Sequence, residues 1–351
     1  MRFIYILPLV MALLGHHIAV AAPFAYITNT GSNSVSVIDT ATNTVVATVA
    51  VGFAPLGVAV NPAGTRVYVA NFTPGNVSVI DTATNTVTTT VPVGTSPIGV
   101  AVNPAGTRVY VTNQNSDNVS VIDTTTNTVV ATVAVGTVPW GVAVNPAGTR
   151  VYVAINGSNS VSVIDTATNT VADTVAVGLS PVGVAVNPAG TRVYVANNGT
   201  NSVSVIDTAT NTVADTVAVG DRPYGVAVNP AGTRVYVTNN NSDNVSVIDT
   251  ATNTVVATVP VGFTPFGVAV NPAGTRVYVA NNGSNNVSVI DTATNTVAAT
   301  VAVGFSPEAF GLFIGPAPTS LDQAGIPYLL PAAALGFAVL IVLGRLRRQR
   351  G

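Results

Sequence analysis

The sequence has no cysteine and no lysine, and Glu308 is its only glutamate. The absence of cysteine excludes disulfides and thiolate chemistry. Charged residues make up only 7% of the 351 residues, and the formal net charge is −2, which gives no electrostatic basis for binding nucleic acid. The two histidines, His16 and His17, both lie near the start of the chain.

Residues 1–21 are predicted to be a secretory signal peptide. A single positive charge, Arg2, precedes an apolar run, and Ala19–Ala21 fits the small-x-small cleavage pattern. The alternative, an uncleaved anchor, is disfavoured because the apolar run is short for a membrane span. Cleavage would remove both histidines, and most general-base, nucleophile–base and zinc chemistry needs histidine or cysteine. We therefore predict a non-enzyme with no catalytic residue, no metal and no cofactor.

The C-terminus predicts a membrane attachment. Residues 317–325 have the composition of a linker, residues 326–344 form an apolar segment long enough to span a bilayer, and residues 345–351 are rich in arginine. The positive-inside rule places the tail in the cytoplasm and the rest of the chain outside. This order of segments resembles bacterial sorting signals of the PEP-CTERM and IPTL-CTERM kind. We expect either a simple one-helix anchor in the cytoplasmic membrane or sorting to the cell surface.

The middle of the chain repeats one unit with a period of 42 residues. The stretch "NPAGTRVYV" occurs six times at that interval, starting at Asn61, Asn103, Asn145, Asn187, Asn229 and Asn271. A period of this size is typical of the four-stranded blade of a β-propeller. Within residues 57–94 the segments "GVAV", "RVYVA", "VSVI" and "TVTTTVPV" are rich in strand-forming residues, and turn-forming residues separate them.

The number of copies predicts how the ring closes. The "VSVID" strand occurs seven times, whereas "GVAV" occurs six times and is followed by a degenerate seventh copy at Ala309–Gly315. The sequence therefore predicts an all-β fold over residues 22–316, a seven-bladed β-propeller with four strands per blade. The C-terminal strand would complete the N-terminal blade, which removes the open edges of the sheet.

Each repeat also carries its own turn chemistry. In "NPAG", Pro62 has a fixed φ and Gly64 can adopt the left-handed conformation. In "DTATN", Asp81 is expected to cap the turn and Asn85 to take a positive φ. Arg66 and Asp81 are predicted to lie opposite each other on paired strands, and five later repeats carry the same pair. We assign these ion pairs a structural role.

Three segments resemble the YVTN-family seven-bladed β-propellers: "RVYVTN" at Arg108–Asn113 and at Arg234–Asn239, and "YITN" at Tyr26–Asn29. The resemblance covers about residues 24–315. It implies a propeller that is exported or associated with the cell surface. Most members have no assigned molecular activity, so the resemblance implies the fold and the compartment more than the function.

Function is expected where the copies differ. They differ in the blade-to-blade connections and in the loops after the tyrosine strands, which should share one face of the disc. The most diverse position follows the connection proline and should ring the mouth of the central channel; its residues are Leu56, Ile98, Trp140, Val182, Tyr224, Phe266 and Glu308. Asp221 and Arg222 add the only other charges in these connections. We predict a binding site for a glycan, a peptide or an envelope protein; the alternative is that these side chains only pack over the channel.

Two functions other than a surface-displayed binding scaffold stay open, and one candidate metal site is disfavoured. The asparagine-rich and aspartate-containing loops at Asn115–Asn118 and Asn239–Asn244 could hold Ca²⁺, but ordinary loop polarity explains them better because each contains one carboxylate. A passive envelope or surface-layer component fits the same export signals. A lactonase-like or quinoprotein-like enzyme, or its accessory subunit, would have to rely on Glu308, Asp221 and Arg222.

Overall fold

The computed structural model describes residues 23–316. The predicted signal peptide, linker, apolar segment and arginine-rich tail lie outside these residues. Within them, the structure contains 27 strands and two short 3-10 turns, and none of its helices has the length and hydropathy that a membrane span requires.

The strands form seven antiparallel sheets, which are the blades, in chain order. Blade 1 contains β1 (Phe24–Asn29), β2 (Ser34–Asp39) and β3 (Thr44–Ala50), and blade 2 contains β4 (Phe53–Val60), β5 (Arg66–Thr73), β6 (Asn76–Asp81) and β7 (Thr86–Pro92). Blade 3 contains β8 (Pro97–Val102), β9 (Arg108–Asn113), β10 (Asn118–Asp123) and β11 (Thr128–Ala134), and blade 4 contains β12 (Pro139–Val144), β13 (Arg150–Ile155), β14 (Ser160–Asp165) and β15 (Thr170–Ala176). Blade 5 contains β16 (Pro181–Val186), β17 (Arg192–Asn197), β18 (Ser202–Asp207) and β19 (Thr212–Ala218), and blade 6 contains β20 (Pro223–Val228), β21 (Arg234–Asn239), β22 (Asn244–Asp249) and β23 (Thr254–Pro260). Blade 7 contains β24 (Pro265–Val270), β25 (Arg276–Asn281), β26 (Asn286–Asp291) and β27 (Thr296–Ala302), and the 3-10 turns are Asn156–Ser158 and Asn282–Ser284.

The hydrophobic core lies in the seams between neighbouring blades. The middle strands are buried on both faces, so β9 is buried from Val109 to Asn113, whereas the outer strand β11 alternates between exposed and covered residues. In one seam, Tyr68 and Val79 of blade 2 pack with Val100, Val109 and Ile122 of blade 3. Each blade therefore depends on its neighbours to cover both of its faces, as expected for stacked repeats.

The predicted closure of the ring is confirmed, but the closing segment is not a regular strand. Its ends pair with β1, because Glu308 N–H donates to Thr28 O at 2.9 Å and Tyr26 N–H donates to Phe313 O at 2.9 Å. Its middle crosses to blade 2, where Val58 N–H donates to Phe310 O at 3.0 Å. The positive φ values at Ala309 (47°) and Gly311 (128°) explain the irregularity, since they interrupt the extended backbone.

The turn predictions are confirmed, and the register places Arg66 opposite Asp81. Gly64 has φ 69° and Asn85 has φ 53°, and the Asp81 Oδ1 atom accepts the backbone N–H groups of Ala83 and Thr84, both at 3.0 Å. Five of the six predicted ion pairs form: Arg108–Asp123, Arg150–Asp165, Arg192–Asp207, Arg234–Asp249 and Arg276–Asp291. The sixth prediction was wrong, because the Arg66 guanidinium donates to Thr124 O of blade 3 instead.

The innermost strands approach each other more closely than side chains would allow. A Cβ atom built on Gly183 would lie 2.1 Å from Tyr224 O of the next blade, and one built on Gly141 would lie 2.3 Å from Val182 O. The equivalent distance from Gly57 to Ile98 O is 1.9 Å. Because the atoms that would clash belong to the backbone, the glycine two residues after the connection proline is required by space in blades 2–7. In blade 1 the equivalent residue is Ala309.

A pair of glycine-to-alanine variants tests this constraint. Gly183→Ala should destabilise the fold by about 3 kcal/mol or more, because its new Cβ overlaps a backbone carbonyl that has no free space to move into. Gly106→Ala should cost only about 1–2 kcal/mol, because its Cβ would lie 3.6 Å from Pro62 Cδ, an ordinary contact, and the penalty comes from φ 70°. Urea unfolding measures both; equal losses would contradict the steric account.

Candidate functional site

The blade-to-blade connections share one backbone conformation, which a hydrogen bond from the preceding blade stabilises in six of the seven. The residue before each connection proline has a positive φ between 48° and 58°, at Ala54, Ser96, Val138, Ser180, Arg222, Thr264 and Ser306. In six of the seven, an asparagine or aspartate from the preceding blade accepts the backbone N–H of this residue; Asp117 Oδ1, for example, lies 2.9 Å from Val138 N. The connections and the loops after the tyrosine strands therefore form one face, as predicted, which we call the variable face.

The same hydrogen bond accounts for the two carboxylates, Asp117 and Asp243, in the loops considered above as Ca²⁺ sites. Asp117 holds the Val138 N–H, and Asp243 Oδ1 accepts the Thr264 N–H at 2.8 Å. Among residues 23–316 there is no group of three or more histidine, cysteine, aspartate or glutamate side chains arranged to hold a metal. Both carboxylates thus have a structural partner in the adjoining connection.

The seven residues after the connection prolines, which we call the ring, lie at the start of the innermost strands. Ile98 and Val182 are buried at 2% exposure, whereas Leu56, Trp140, Tyr224, Phe266 and Glu308 are half-buried. Ile98 and Val182 pack with Phe310 of the closing segment, and Leu56, Phe72, Trp140 and Tyr224 pack against that cluster. The structure thus places the predicted residues at the centre of the variable face, but it leaves only five of them accessible.

Three aromatic residues of the ring form a continuous arc, which we call the aromatic arc. The Trp140 and Tyr224 ring centroids lie 5.8 Å apart in an edge-to-face pair, and those of Tyr224 and Phe266 lie 4.5 Å apart at a tilt of 53°. Trp140 also meets Phe310 edge-on at 6.5 Å. Edge-to-face aromatic contacts stabilise such clusters beyond the area they bury. The arc is therefore held in place from below by the closing segment.

Glu308 occupies the ring position next to Phe266, and the Gly267 N–H donates to Glu308 O at 2.9 Å. Burial raises the pKa of its carboxyl from 4.5 to about 7, and the nearby Thr30 hydroxyl offsets this only in part. The Thr30 hydroxyl also donates to Pro55 O at 2.8 Å. The remaining contact is a long one, from Asn282 Nδ2 to Glu308 Oε1 at 3.4 Å. Glu308 is therefore a poorly solvated and weakly partnered carboxyl.

Asp221 and Arg222 are exposed and lie beside the ring rather than within it. Asp221 N–H donates to Ser242 Oγ at 2.8 Å, and Arg222 N–H donates to Asn201 Oδ1 at 3.0 Å, so both backbones belong to the connection scaffold. Burial raises the pKa of Tyr224; the charge of Glu308 raises it further, and the charge of Arg222 lowers it. Tyr224 thus lies between a negative and a positive group.

The central channel lies behind the ring. Its empty volume is about 820 Å³, which includes space open to solvent, and none of the residues that line it is charged. The innermost strands of blades 3–7 each form the edge of their sheet. Their unpaired backbone groups therefore face the channel, and such groups require water. The opposite face, which carries the "NPAGT" and "DTATN" turns, we call the uniform face.

Sequence reasoning missed three phenylalanines on the variable face. Phe53, Phe263 and Phe305 are exposed at 66%, 66% and 68%, and they lie on the connections that lead into blades 2, 7 and 1. These three blades are consecutive around the closed ring, with the blade of Glu308 in the middle. The signal was present in "GFAPL", "GFTPF" and "GFSPE", where phenylalanine comes three residues before the ring position.

The shifted pKa of Glu308 predicts a pH-dependent stability. Below pH 4.5 its carboxyl is protonated in both the folded and the unfolded chain and carries no desolvation cost. As the pH rises from 4.5 to about 7, the unfolded chain releases the proton first, so the folded state loses stability. Relative to Glu308→Gln, the wild type should lose no more than about 3 kcal/mol across this range.

Urea unfolding of the wild type and Glu308→Gln at pH 4 and pH 8 measures this difference. The glutamine variant cancels the contributions of the aspartates, which are common to both proteins. A difference in unfolding free energy that stays constant with pH would contradict the assignment.

Sequence comparison gives one family match. Residues 185–272 match the model of the YNCE-like beta-propeller family, and this stretch includes Tyr224 and Phe266. Among curated proteins, none matches the chain.

Structure comparison confirms the fold. Hydrazine synthase from Kuenenia stuttgartiensis is 27% identical with a TM-score of 0.71, and the match covers 80% of this chain and 99% of that chain. A functionally unknown protein from Desulfotomaculum acetoxidans DSM 771 is 18% identical with a TM-score of 0.71, covering 82% of this chain and 100% of that one. Dihydro-heme d1 dehydrogenase NirN, in complex with DHE, is 17% identical with a TM-score of 0.61, covering 80% and 63%.

These neighbours include proteins with the names of enzymes and one without a known function, so the shared architecture does not itself define an activity. Together, the seven blades and the family match confirm the predicted resemblance: the chain is a seven-bladed β-propeller with a YNCE-like family match in residues 185–272.

Proposed function

We propose that the protein is an exported, membrane-anchored β-propeller that binds a partner through its variable face and does not act as a catalyst. The observation that carries this proposal is the ring. Its seven side chains all differ, whereas the frame around them is nearly identical from blade to blade, and five of them are accessible. A half-exposed aromatic cluster with few charges suits the recognition of a peptide, a glycan or an envelope protein.

The positions of the chain ends support an orientation in which the variable face points away from the membrane. Pro23 O accepts a hydrogen bond from Thr40 N at 3.3 Å, and Pro316 lies against Gly64, so both ends of the described chain are at the uniform face. If residues 326–344 span a membrane, the uniform face is the one next to the membrane and the variable face points away from it. That orientation leaves the ring free to meet a partner.

The charges of the ring argue against hydrolysis by the variable face. Acid–base catalysis generally requires a second titratable group in reach of the first. Glu308 is the only carboxyl of the ring, and Asp221 is exposed and bonded to Asn241 Nδ2 at 3.2 Å. A single carboxyl on a face with an aromatic cluster is better suited to binding.

Two other functions remain candidates because specific observations favour them. The exposed phenylalanines would also suit a passive envelope component that packs against neighbouring copies. The names of two structural neighbours, hydrazine synthase and dihydro-heme d1 dehydrogenase, favour a propeller that serves an enzyme assembly. In that case the variable face would dock onto a catalytic protein.

A binding screen tests the proposal. The full-length protein in detergent micelles is applied to glycan and peptide arrays beside the triple variant Trp140→Ala, Tyr224→Ala, Phe266→Ala. We expect the wild type to bind a defined class of ligand and the triple variant to lose at least tenfold in affinity, because it removes the accessible aromatic surface.

The matched control is the triple variant Val46→Ala, Val130→Ala, Val256→Ala, which removes exposed apolar side chains from outer strands far from the ring. It should bind as the wild type does, and circular dichroism should show that both variants are folded. Failure of the wild type to bind any array component, or equal binding by both triple variants, would refute a recognition role for the ring.

A further inference from the structure

The part of the ring around Glu308 has two features that favour binding of a positive charge: a carboxyl without a cation partner within residues 23–316 and adjacent aromatic side chains. The aromatic arc ends at Phe266, and the next ring residue is Glu308, whose backbone is joined to the Phe266 strand through the Gly267 N–H. We propose that the sector formed by Tyr224, Phe266 and Glu308 binds an alkylammonium group, such as a lysine side chain or a small organic amine. This inference rests on the proposed function of the ring as a binding site.

The Glu308 carboxyl has no cation partner among the residues that the structure describes. The five ion pairs of residues 23–316 all join arginine and aspartate near the uniform face. Arg222, a cation on the variable face, is exposed and forms none of these pairs. Moving a carboxylate out of water without a partner is costly, so a ligand that brings a positive charge recovers that cost.

The aromatic side chains favour the same kind of group. A cation is attracted to the faces of tryptophan, tyrosine and phenylalanine when it lies within about 6 Å of the ring centroid. Trp140, Tyr224 and Phe266 are all partly accessible, and their centroids lie close enough for one group to contact two rings. An alkylammonium supplies a positive charge that pairs with the Glu308 carboxylate, and its methylene or methyl groups pack on the aromatic rings.

Other ligand classes fit the sector less well. A metal ion such as Ca²⁺ prefers six to eight oxygen ligands, whereas one carboxylate and aromatic rings are offered here. An anion would be repelled by the negative charge of the Glu308 carboxylate. A neutral sugar would stack on the arc but would leave the carboxyl without a charge partner.

The three exposed phenylalanines extend the sector outward. Phe263, Phe305 and Phe53 lie on the connections into the blade of Phe266, the blade of Glu308 and the blade after it. They offer apolar surface to whatever carries the ammonium group. A lysine within an apolar peptide would use this surface, and a free amine would not.

The single tryptophan of the chain makes the test direct. Trp140 lies at one end of the arc, so its fluorescence reports ligands that enter the ring, and isothermal calorimetry measures the same binding independently. Full-length protein in micelles is titrated with choline and with its neutral isostere 3,3-dimethylbutan-1-ol. We expect choline to bind at least tenfold more tightly than the alcohol at pH 8, where Glu308 is ionised.

Two variants identify the group responsible. Glu308→Gln should reduce the preference for choline at least fivefold, to the part that the aromatic rings supply, and leave binding of the neutral alcohol unchanged. Asp221→Asn removes an exposed carboxylate from the same face and should keep the preference. Equal affinity of the wild type for choline and the alcohol, or a preference for choline that is as large in Glu308→Gln as in the wild type, would overturn the inference.

The two sources of ammonium are separated by a second comparison. A short peptide with one lysine between leucines, bound at least tenfold more tightly than Nα-acetyl-lysine methylamide, identifies a peptide ligand; equal binding of the two identifies a small amine. Array binding of only neutral ligands, lost in the aromatic triple variant, would leave the proposed function standing while refuting the ammonium site. Absence of any ring-dependent binding would refute both.

Discussion

In blades 2–7, each innermost strand carries a glycine that rests against the carbonyl oxygen of a ring residue in the next blade. At Gly183 a Cβ atom would come within 2.1 Å of Tyr224 O, and at Gly225 within 2.4 Å of Phe266 O. Because this contact is backbone against backbone, it fixes the spacing of the strands more rigidly than side-chain packing could. The residue before each glycine is thereby held at the mouth of the channel, where seven different side chains must meet.

The two faces of the disc follow from this constraint in different ways. On the uniform face, the "NPAGT" turn recurs unchanged in blades 2–7, and all seven blades share the aspartate turn, which reads "DTATN" except for "DTTTN" in blade 3. Aspartates such as Asp123 both cap a turn and pair with an arginine. The backbone N–H groups of Thr126 and Thr125, followed by Arg108, lower the pKa of Asp123. On the variable face, the connections keep one backbone shape through the positive-φ residue and its asparagine or aspartate partner, so the ring side chain is free to vary without changing the frame.

Most of the fold could be predicted from the sequence because the same pattern of strand-forming and turn-forming residues recurs in every blade. The period, the turn residues, the Arg–Asp register and the number of copies are all local signals, and all were confirmed. The closing segment was only partly predictable, since the positive φ of Ala309 comes from its packing between blades 1 and 2. The Arg66 ion pair failed because its alternative partner, Thr124, is distant in sequence but adjacent in space.

The structure puts the ring residues at the start of the innermost strands, but their accessibility could not be predicted from the sequence. Whether Ile98 and Val182 are buried depends on Phe310, a residue from the degenerate copy that fills the space beneath them. The raised pKa of Glu308 likewise depends on burial by residues that are distant in the sequence. The exposed phenylalanines were visible in the sequence, yet only the structure shows that their blades are consecutive around the closed ring.

The lack of cysteine allows one measurement to test directly whether the variable face meets a partner in the cell envelope. Thr137→Cys places a thiol at an exposed site on the variable face, and Ala189→Cys places one on the uniform face. Labelling rates with a membrane-impermeant maleimide are compared between purified protein and native envelopes. The account predicts that Thr137→Cys is protected in envelopes and that the protection disappears when Trp140, Tyr224 and Phe266 are replaced by alanine. Equal labelling at position 137 in both settings, or protection that persists without the aromatic arc, would contradict it.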